Sequence, residues 1–244
     1  MNWPEKLSDI HSGIHIFQVN RLHGGNMKTV FFDLDGVLLD TEPLYRRFWM
    51  EAVQAYGHTM CEEEALALRS LDASLAAEWF EKKFGSDIYG KVREKRKELM
   101  EAHRANEPVR AKAGAAKLLR ELEQKEINYY IVTASPLSRV ERYTKEAGLD
   151  LDPKKVISTK CVSRGKPFPD VYLEAMRTAG CKAKEAVAVE DSPNGIRSSK
   201  AAGCYTIMIP DLTQPSEEDL LYCDEVVSNL YELARSHFDS TLQI

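Results

Sequence analysis

Residues 29–43 read Thr29-Val30-Phe31-Phe32-Asp33-Leu34-Asp35-Gly36-Val37-Leu38-Leu39-Asp40-Thr41-Glu42-Pro43, and this stretch decides the fold. Thr29 to Phe32 form a short apolar, β-rich run that ends in acids and a glycine, the pattern of a buried strand. Asp33 and Asp35 stand two apart at its end. Gly36 permits a turn there, so both carboxylates can reach one site. Thr41 is the expected N-cap of a following helix, with Pro43 in its first turn.

Working outward toward the C-terminus, residues 44–110 are expected to be helical throughout. Leu44, Phe48 and Ala52, with Trp49 and Val53, make one apolar face, and Leu75, Trp79 and Phe80 contribute to another. At Gly114 a strand–helix alternation begins. Ala115, Leu118, Leu119 and Leu122 fall at i, i+3, i+4 and i+7, a helix face. Strands are expected at Tyr129–Thr133, Val156–Ser158, Ala186–Glu190, Tyr205–Ile209 and Val226-Val227, with helices between them and one after the last. Strands separated by helices imply a parallel sheet covered on both faces. The expected fold is therefore α/β, a Rossmann-like doubly wound parallel sheet with an inserted helical domain. Its core comprises 27–43 and 111–244, and the insertion 44–110. Toward the N-terminus, residues 1–26 show no clear periodic element; they read either as a poorly ordered leader or, the favoured alternative, as lying before the true start at Met27.

Of the 244 residues, 43% are hydrophobic and 29% charged, which fits a globular chain with a sizeable core and excludes a disordered one. With 33 basic and 38 acidic residues the net charge is −5, which gives no reason to expect nucleic acid or an anionic membrane as partner. Cys61, Cys161, Cys181, Cys204 and Cys223 are scattered and contain no C-x-x-C pair. They suggest neither a disulfide framework nor a zinc site, and reduced thiols in a cytoplasm are the expectation. No apolar run approaches the ~20 residues of a membrane span, and the N-terminus lacks the order of a secretion signal.

In open parallel sheets ligands bind at the carboxyl ends of the strands. Those ends carry Asp33 and Asp35, Thr133, and Glu190-Asp191, and the loop Ser163-Arg164-Gly165-Lys166-Pro167-Phe168-Pro169-Asp170 adds Lys166. A carboxylate can attack phosphorus, and a second acid can protonate the leaving oxygen and then deprotonate water. Four carboxylates at one edge repel unless a cation lies among them, and oxygen ligands of this kind suit Mg²⁺. A hydroxyl at Thr133, with the backbone N–H groups that follow at Ala134 and Ser135, makes a phosphate cradle. Each feature alone has a plainer explanation: turn capping for Asp33 and Asp35, an N-cap for Asp191 or Ser192, another for Thr133, and a solvated surface lysine. Their arrival together at one sheet edge argues against packing alone.

The segments Asp33-Leu34-Asp35-Gly36-Val37-Leu38-Leu39-Asp40-Thr41, Val132-Thr133-Ala134-Ser135, Gly165-Lys166-Pro167-Phe168-Pro169-Asp170 and Val189-Glu190-Asp191-Ser192-Pro193-Asn194-Gly195-Ile196 resemble, in order and spacing, the four motifs of the haloacid-dehalogenase-like superfamily. The closer resemblance is to its phosphatase and phosphoglucomutase branch with a helical cap, and it covers the chain from Thr29 onward. It implies Asp33 as nucleophile and Asp35 as general acid/base, with its backbone carbonyl offered to Mg²⁺. It further implies Thr133, Ala134 and Lys166 as holders of the phosphoryl group, and Asp33, Asp35, Asp191 and Glu190 around the metal, Glu190 directly or one contact removed. The insertion 44–110 becomes a mobile cap hinged near Asp40–Pro43 and Arg110–Gly114, and the Asp33 strand lies between those of Thr133 and Asp191.

The expected function is thus a Mg²⁺-dependent phosphatase acting on a small phosphorylated metabolite, a sugar or polyol phosphate. Within the superfamily, Asp35 argues against a dehalogenase, whose reaction needs no leaving-group proton. The enzymatic rival is a β-phosphoglucomutase-like mutase. Such mutases carry a histidine just after the Asp-Thr of the first motif, where this chain has Tyr45. Where they grip a second phosphate with a cap arginine, this chain aligns Leu71, with Arg69 nearby. A binding protein without chemistry is disfavoured because Asp33, Asp35 and Lys166 are all present. Arg46, Arg47, Arg69 and Trp49 are candidate cap contacts to substrate, each with a solvated or packed role as the plainer alternative, and His58 and His103 are expected to be structural.

Overall fold

The computed structural model describes residues 28–238 and 240; the expected leader and its Met27 boundary lie outside the described residues. Six strands form one sheet: β1 (Thr29–Phe32), β2 (Asn128–Thr133), β3 (Val156–Ser158), β4 (Ala186–Glu190), β5 (Tyr205–Met208) and β6 (Glu225–Val226). Every pairing is parallel and the order is β3-β2-β1-β4-β5-β6. That order reverses direction at β1, so the expected doubly wound sheet is met, with the Asp33 strand between its two expected neighbours. The outer strands β5 and β6 each end one residue earlier than the apolar pattern suggests.

The sheet is buried on both faces because successive strand residues point to opposite sides. Val30 and Phe32 join a core with Leu118, Leu122, Leu230 and Leu233 from the helices α5 (Ala115–Gln124) and α9 (Leu230–Phe238). Phe31 faces the other way, onto Val171, Tyr172 and Ala175 of α7 (Asp170–Ala179). The helices α6 (Leu137–Glu146) and α8 (Pro193–Ala201) complete the layers.

Between β1 and α5 the chain forms four helices, α1 (Glu42–Gln54), α2 (Glu62–Ala67), α3 (Ala73–Phe84) and α4 (Ile88–Arg104). Their apolar faces meet through Trp49, Phe80 and Tyr89, with ring centroids 5.4 Å apart for Trp49–Phe80 and 5.2 Å for Phe80–Tyr89. His103 packs its ring on Phe48 and His58 on Phe84, both structural contacts. The two passages between sheet and insertion run side by side: Asp40 N–H donates to Arg110 O and Lys112 N–H to Leu38 O, each at 2.9 Å.

Thr41 precedes α1 as expected but does not cap it with its side chain. Its hydroxyl donates instead to Asp35 Oδ1 at 2.6 Å. A hydroxyl aimed at a buried carboxylate gains a charge-assisted bond, which outweighs a cap on a helix whose first turn already holds Pro43. Among the described residues no helix is long and apolar enough to cross a membrane, and all five cysteines are free thiols.

Candidate active site

The parallel register builds the site. Phe32 pairs with Val189 on one side and Ile131 on the other, so the next residue, Asp33, lands beside Glu190 and Val132. Asp33 N–H donates to Val189 O at 2.9 Å, extending the ladder by one step before the strand ends. The chain then folds back: Leu38 and Leu39 both donate to Leu34 O, and Gly36 adopts φ +87°. A side chain at Gly36 would collide with the Asp191 carboxylate, so glycine serves both the turn and the close approach.

Lys166 enters from the loop before α7 and is completely buried. Its Nζ donates to Asp33 Oδ1 at 2.5 Å, Glu190 Oε1 at 2.6 Å and Val132 O at 3.0 Å. All three ammonium protons are thereby used. Burial alone lowers a lysine's pKa, but Asp33 and Glu190 outweigh it and hold Lys166 protonated. Tyr172, one turn into α7, donates its hydroxyl to the same Glu190 oxygen.

Asp33, Glu190 and Asp191 each offer a carboxylate oxygen within 4.8 Å of the others, all three buried. Among the described residues, Asp33 Oδ2, Glu190 Oε2 and Asp191 Oδ1 have no hydrogen-bond partner. Burial, Glu190 and Asp35 push Asp33 up to about 8 in spite of Lys166. Burial also raises Asp191 well above the ordinary range, with Glu42 adding to it and Arg69 opposing. A buried group of acids with orphaned oxygens and too few cations is a set that fits a hard divalent ion. Gly195, in the first turn of α8, makes room for the Glu190 carboxylate, which a methyl there would overlap. Ser192 caps α8, accepting from Gly195 N at 3.1 Å, which leaves Asp191 free of capping duty.

Asp35 is placed differently from the other acids. Its Oδ1 accepts from Thr41 and its Oδ2 from Ser135 Oγ at 2.7 Å, so both side-chain oxygens are occupied by hydroxyls and face the cavity between sheet and insertion. Thr133, fully buried at the end of β2, accepts from Ser135 N at 3.0 Å. Ala134 lines the cavity beside it.

Several residues of the site carry little signal in the sequence. Glu42 is buried in the first turn of α1, and burial with Asp35 pushes it up to about 8. Next to Thr41-Pro43 an acid reads simply as helix-start chemistry. Arg69, from the turn after α2, sets Nη1 3.5 Å from Asp191 Oδ2 and Nη2 2.6 Å from Thr213 Oγ1. Of the four candidate cap contacts, Arg69 and Trp49 line the cavity between sheet and insertion. Arg46 and Arg47 line a separate surface cleft, paired with Glu62 and Glu51. The insertion is latched to the sheet domain: Asp72 N–H donates to Lys166 O at 2.7 Å, Gly165 N–H to Asp72 Oδ2 at 2.6 Å, and Asn194 Nδ2 to Arg69 O at 2.8 Å.

The sequence and the fold have known relatives. The family model of haloacid dehalogenase-like hydrolases matches residues 27–203. Hexitol phosphatase A of Escherichia coli (strain K12) is 33% identical over 199 residues, 80% of this chain and 89% of that protein. The protein named "Probable pseudouridine-5'-phosphatase" of Drosophila melanogaster is 30% identical over 217 residues, 85% of this chain and 91% of its own. Among solved structures, a hydrolase from Pseudomonas syringae superposes with a TM-score of 0.78 at 20% identity, covering 89% of this chain and 100% of its own, a likeness of fold. CbbY of Rhodobacter sphaeroides in complex with phosphate gives a TM-score of 0.71 at 26% identity, over 85% of this chain and 96% of its own. The chain belongs to the haloacid dehalogenase-like hydrolase family, as an enzyme whose relatives include named phosphatases.

Proposed function

We propose that the chain is a Mg²⁺-dependent phosphatase that hydrolyses a small phosphorylated metabolite, a sugar or polyol phosphate, through a phosphate ester on Asp33. The observation that carries this reading is the asymmetry of the Asp33 carboxylate: Lys166 grips Oδ1 at 2.5 Å while Oδ2 is buried without a partner. An oxygen desolvated and held in place is prepared for attack on phosphorus. Asp33, Glu190 and Asp191, with the backbone carbonyl of Asp35, would hold the Mg²⁺. When bound, the ion supplies the positive charge that lets these acids ionise together and steadies the phosphate oxygens.

The steps proposed for the protein groups are these. An Asp33 oxygen bonds to phosphorus as the ester P–O bond breaks, and the leaving oxygen takes a proton from Asp35. Thr41 and Ser135 aim that carboxyl toward the leaving group. Thr133 and the Ala134 N–H hold the phosphoryl oxygens, and the Lys166 ammonium, on exchanging one of its present acceptors for one of them, adds its charge. Asp35, now ionised, takes a proton from water; the hydroxide oxygen bonds to phosphorus, the Asp33–phosphorus bond breaks, and inorganic phosphate leaves. The latched insertion, hinged near Asp40–Pro43 and Arg110–Gly114, excludes bulk water during the ester's lifetime. Hexitol phosphatase A among the relatives supports a polyol or sugar phosphate. Tyr45, which lines the cavity where the mutase branch has histidine, favours water over a second sugar as acceptor. The free thiols support a cytoplasmic setting.

The test is phosphate release from a panel of sugar, polyol and nucleoside monophosphates with Mg²⁺ or EDTA, with Asp33→Asn as blank. Mg²⁺-dependent release that vanishes in the variant is expected. Turnover near wild type in Asp33→Asn would remove the nucleophile assignment.

A further inference from the structure

The cavity that begins at Asp35 continues into the insertion for a volume of about 480 Å³, and its far wall is cationic. Arg96, on the inner face of α4, is 91% buried, being only 9% exposed, yet forms no ion pair with any described residue, and its Nε has no hydrogen-bond partner. Its guanidinium lies over the rings of Trp49 at 4.5 Å and Tyr45 at 5.0 Å. Those rings engage its face and offset part of the cost of burial. They leave its Nε–H without an acceptor, and a buried cation that lacks a counter-charge is expensive. Across the Tyr45 ring lies Arg139 of α6, 5.5 Å from the ring centroid. It too has no carboxylate partner; its Nε donates to Ser135 Oγ at 3.0 Å, the hydroxyl that holds Asp35. The hydroxyl of Tyr45, whose ring both guanidiniums approach, is buried and has no partner among the described residues. Arg93, one turn before Arg96 along α4, lines the same cavity and is also without an ion pair among the described residues.

The nearby acids are engaged elsewhere. Glu101 pairs with Arg104 and Arg142, and Asp72 accepts from Gly165 and Ser74. Asp35 is held by two hydroxyls, and Glu42 lies on the Asp191 side. The cavity is thus lined by Asp35 at the sheet edge and by Arg139, Tyr45, Arg93 and Arg96 toward the insertion.

We propose that Arg96, with Tyr45 and Arg139, is a second anion subsite, and that the preferred substrate carries a second anionic group, a carboxylate or a phosphate, at the end remote from the scissile phosphate. This rests on the phosphatase reading and narrows its substrate class. A guanidinium whose face is stacked and whose edge is free presents its N–H fork in a fixed plane, the geometry that receives a carboxylate or phosphate through two bonds.

The experiment separates this claim from the reading beneath it. Binding to the Asp33→Asn enzyme is measured by titration calorimetry for three ligands of one chain length: a sugar monophosphate with a neutral end, one ending in a carboxylate, and a bisphosphate. At least one doubly anionic ligand is expected to bind 10-fold or more tighter than the neutral-ended one, and the two charged ligands show which anion the fork prefers. Arg96→Met, which keeps the stem over Trp49, is expected to collapse that ratio. Arg96→Lys, which keeps the charge but loses the planar fork, is expected to restore it only in part. Equal affinity for all three ligands would overturn the proposal, as would an unchanged ratio in a folded Arg96→Met. Phosphate release by the wild-type enzyme decides the phosphatase reading separately.

Discussion

Lys166→Met tests the electrostatic frame of the site. The substitution keeps the unbranched stem and removes the cation that donates to Asp33, Glu190 and Val132 O at 2.5, 2.6 and 3.0 Å. Among the described residues no other cation pairs with either carboxylate. Breaking a buried ion pair from one side costs about 3–5 kcal/mol. Linkage gives a second estimate. Without the ammonium, the buried carboxylates must carry one more proton than in the wild type. Keeping an ordinary glutamic acid neutral costs about 1.4 kcal/mol for each pH unit above its pKa of about 4.3. That is about 4 kcal/mol at about pH 7.5 and about 1.6 kcal/mol at about pH 5.5.

The two estimates agree near neutrality and make the loss pH-dependent. Urea unfolding in EDTA, followed by circular dichroism at both pH values, reads it directly. The variant is expected to lose about 4 kcal/mol at the higher pH and under half of that at the lower. A loss below about 1 kcal/mol at neutral pH, or one that ignores pH, would refute the view that Lys166 neutralises buried acids.

Three further outcomes follow from the same geometry. Burial raises Asp33 and Glu42 to about 8 from ordinary values of 3.8 and 4.5. The folded, metal-free protein thus holds protons that the unfolded chain has released, so its stability is full below about pH 4 and declines toward about pH 8. Mg²⁺ binds the ionised acids, so its thermal stabilisation relative to EDTA is expected to grow over that window; a shift of Tm that shrinks with rising pH would contradict the site. Gly195→Ala places a methyl on the Glu190 carboxylate and is expected to cost about 1–3 kcal/mol and abolish the Mg²⁺-induced Tm shift, with wild-type metal response counting against the cradle. Asp72→Ala removes both the α3 cap to Ser74 N at 2.8 Å and the latch to Gly165 N at 2.6 Å. It should cost about 1–2 kcal/mol and raise KM, and unaltered kinetics would show that the latch does not hold substrate.

Much of the scaffold was legible because its signals are local. The run Val30-Phe31-Phe32 states a strand buried on both faces, and the apolar spacing of Ala115, Leu118, Leu119 and Leu122 states one side of a helix. The strand-end residues were legible for a related reason: a parallel sheet brings its carboxyl ends to one edge whatever the connections between them. Contacts made at a distance were not. Lys166 and Asp33 lie 133 positions apart, and nothing local to Lys166 except Gly165 and Pro167 marks it as buried. Thr41 misled because cap and ligand-holding threonines look alike in sequence; only the 2.6 Å bond to Asp35 separates the roles. Glu42, Tyr172 and Arg96 sit on helices at positions that read equally as helix-start, core and surface residues.

The opposite ends of the cavity show why such residues need the fold to be read. At the sheet edge, Asp33, Glu190, Asp191 and Glu42 outnumber Lys166 and Arg69, and burial pushes Asp33, Asp191 and Glu42 toward their neutral forms. Against the insertion, Arg93, Arg96 and Arg139 lack carboxylate partners among the described residues, although the chain as a whole is acidic at −5. Folding has not paired the two groups directly: Arg139 reaches Asp35 only through the Ser135 hydroxyl, and its guanidinium lies over the Tyr45 ring. A buried charge separation of this kind is costly unless other charges complete it. A cation at the first end and an anionic group at the second satisfy both ends at once, and closing the insertion over them strengthens each interaction by excluding water.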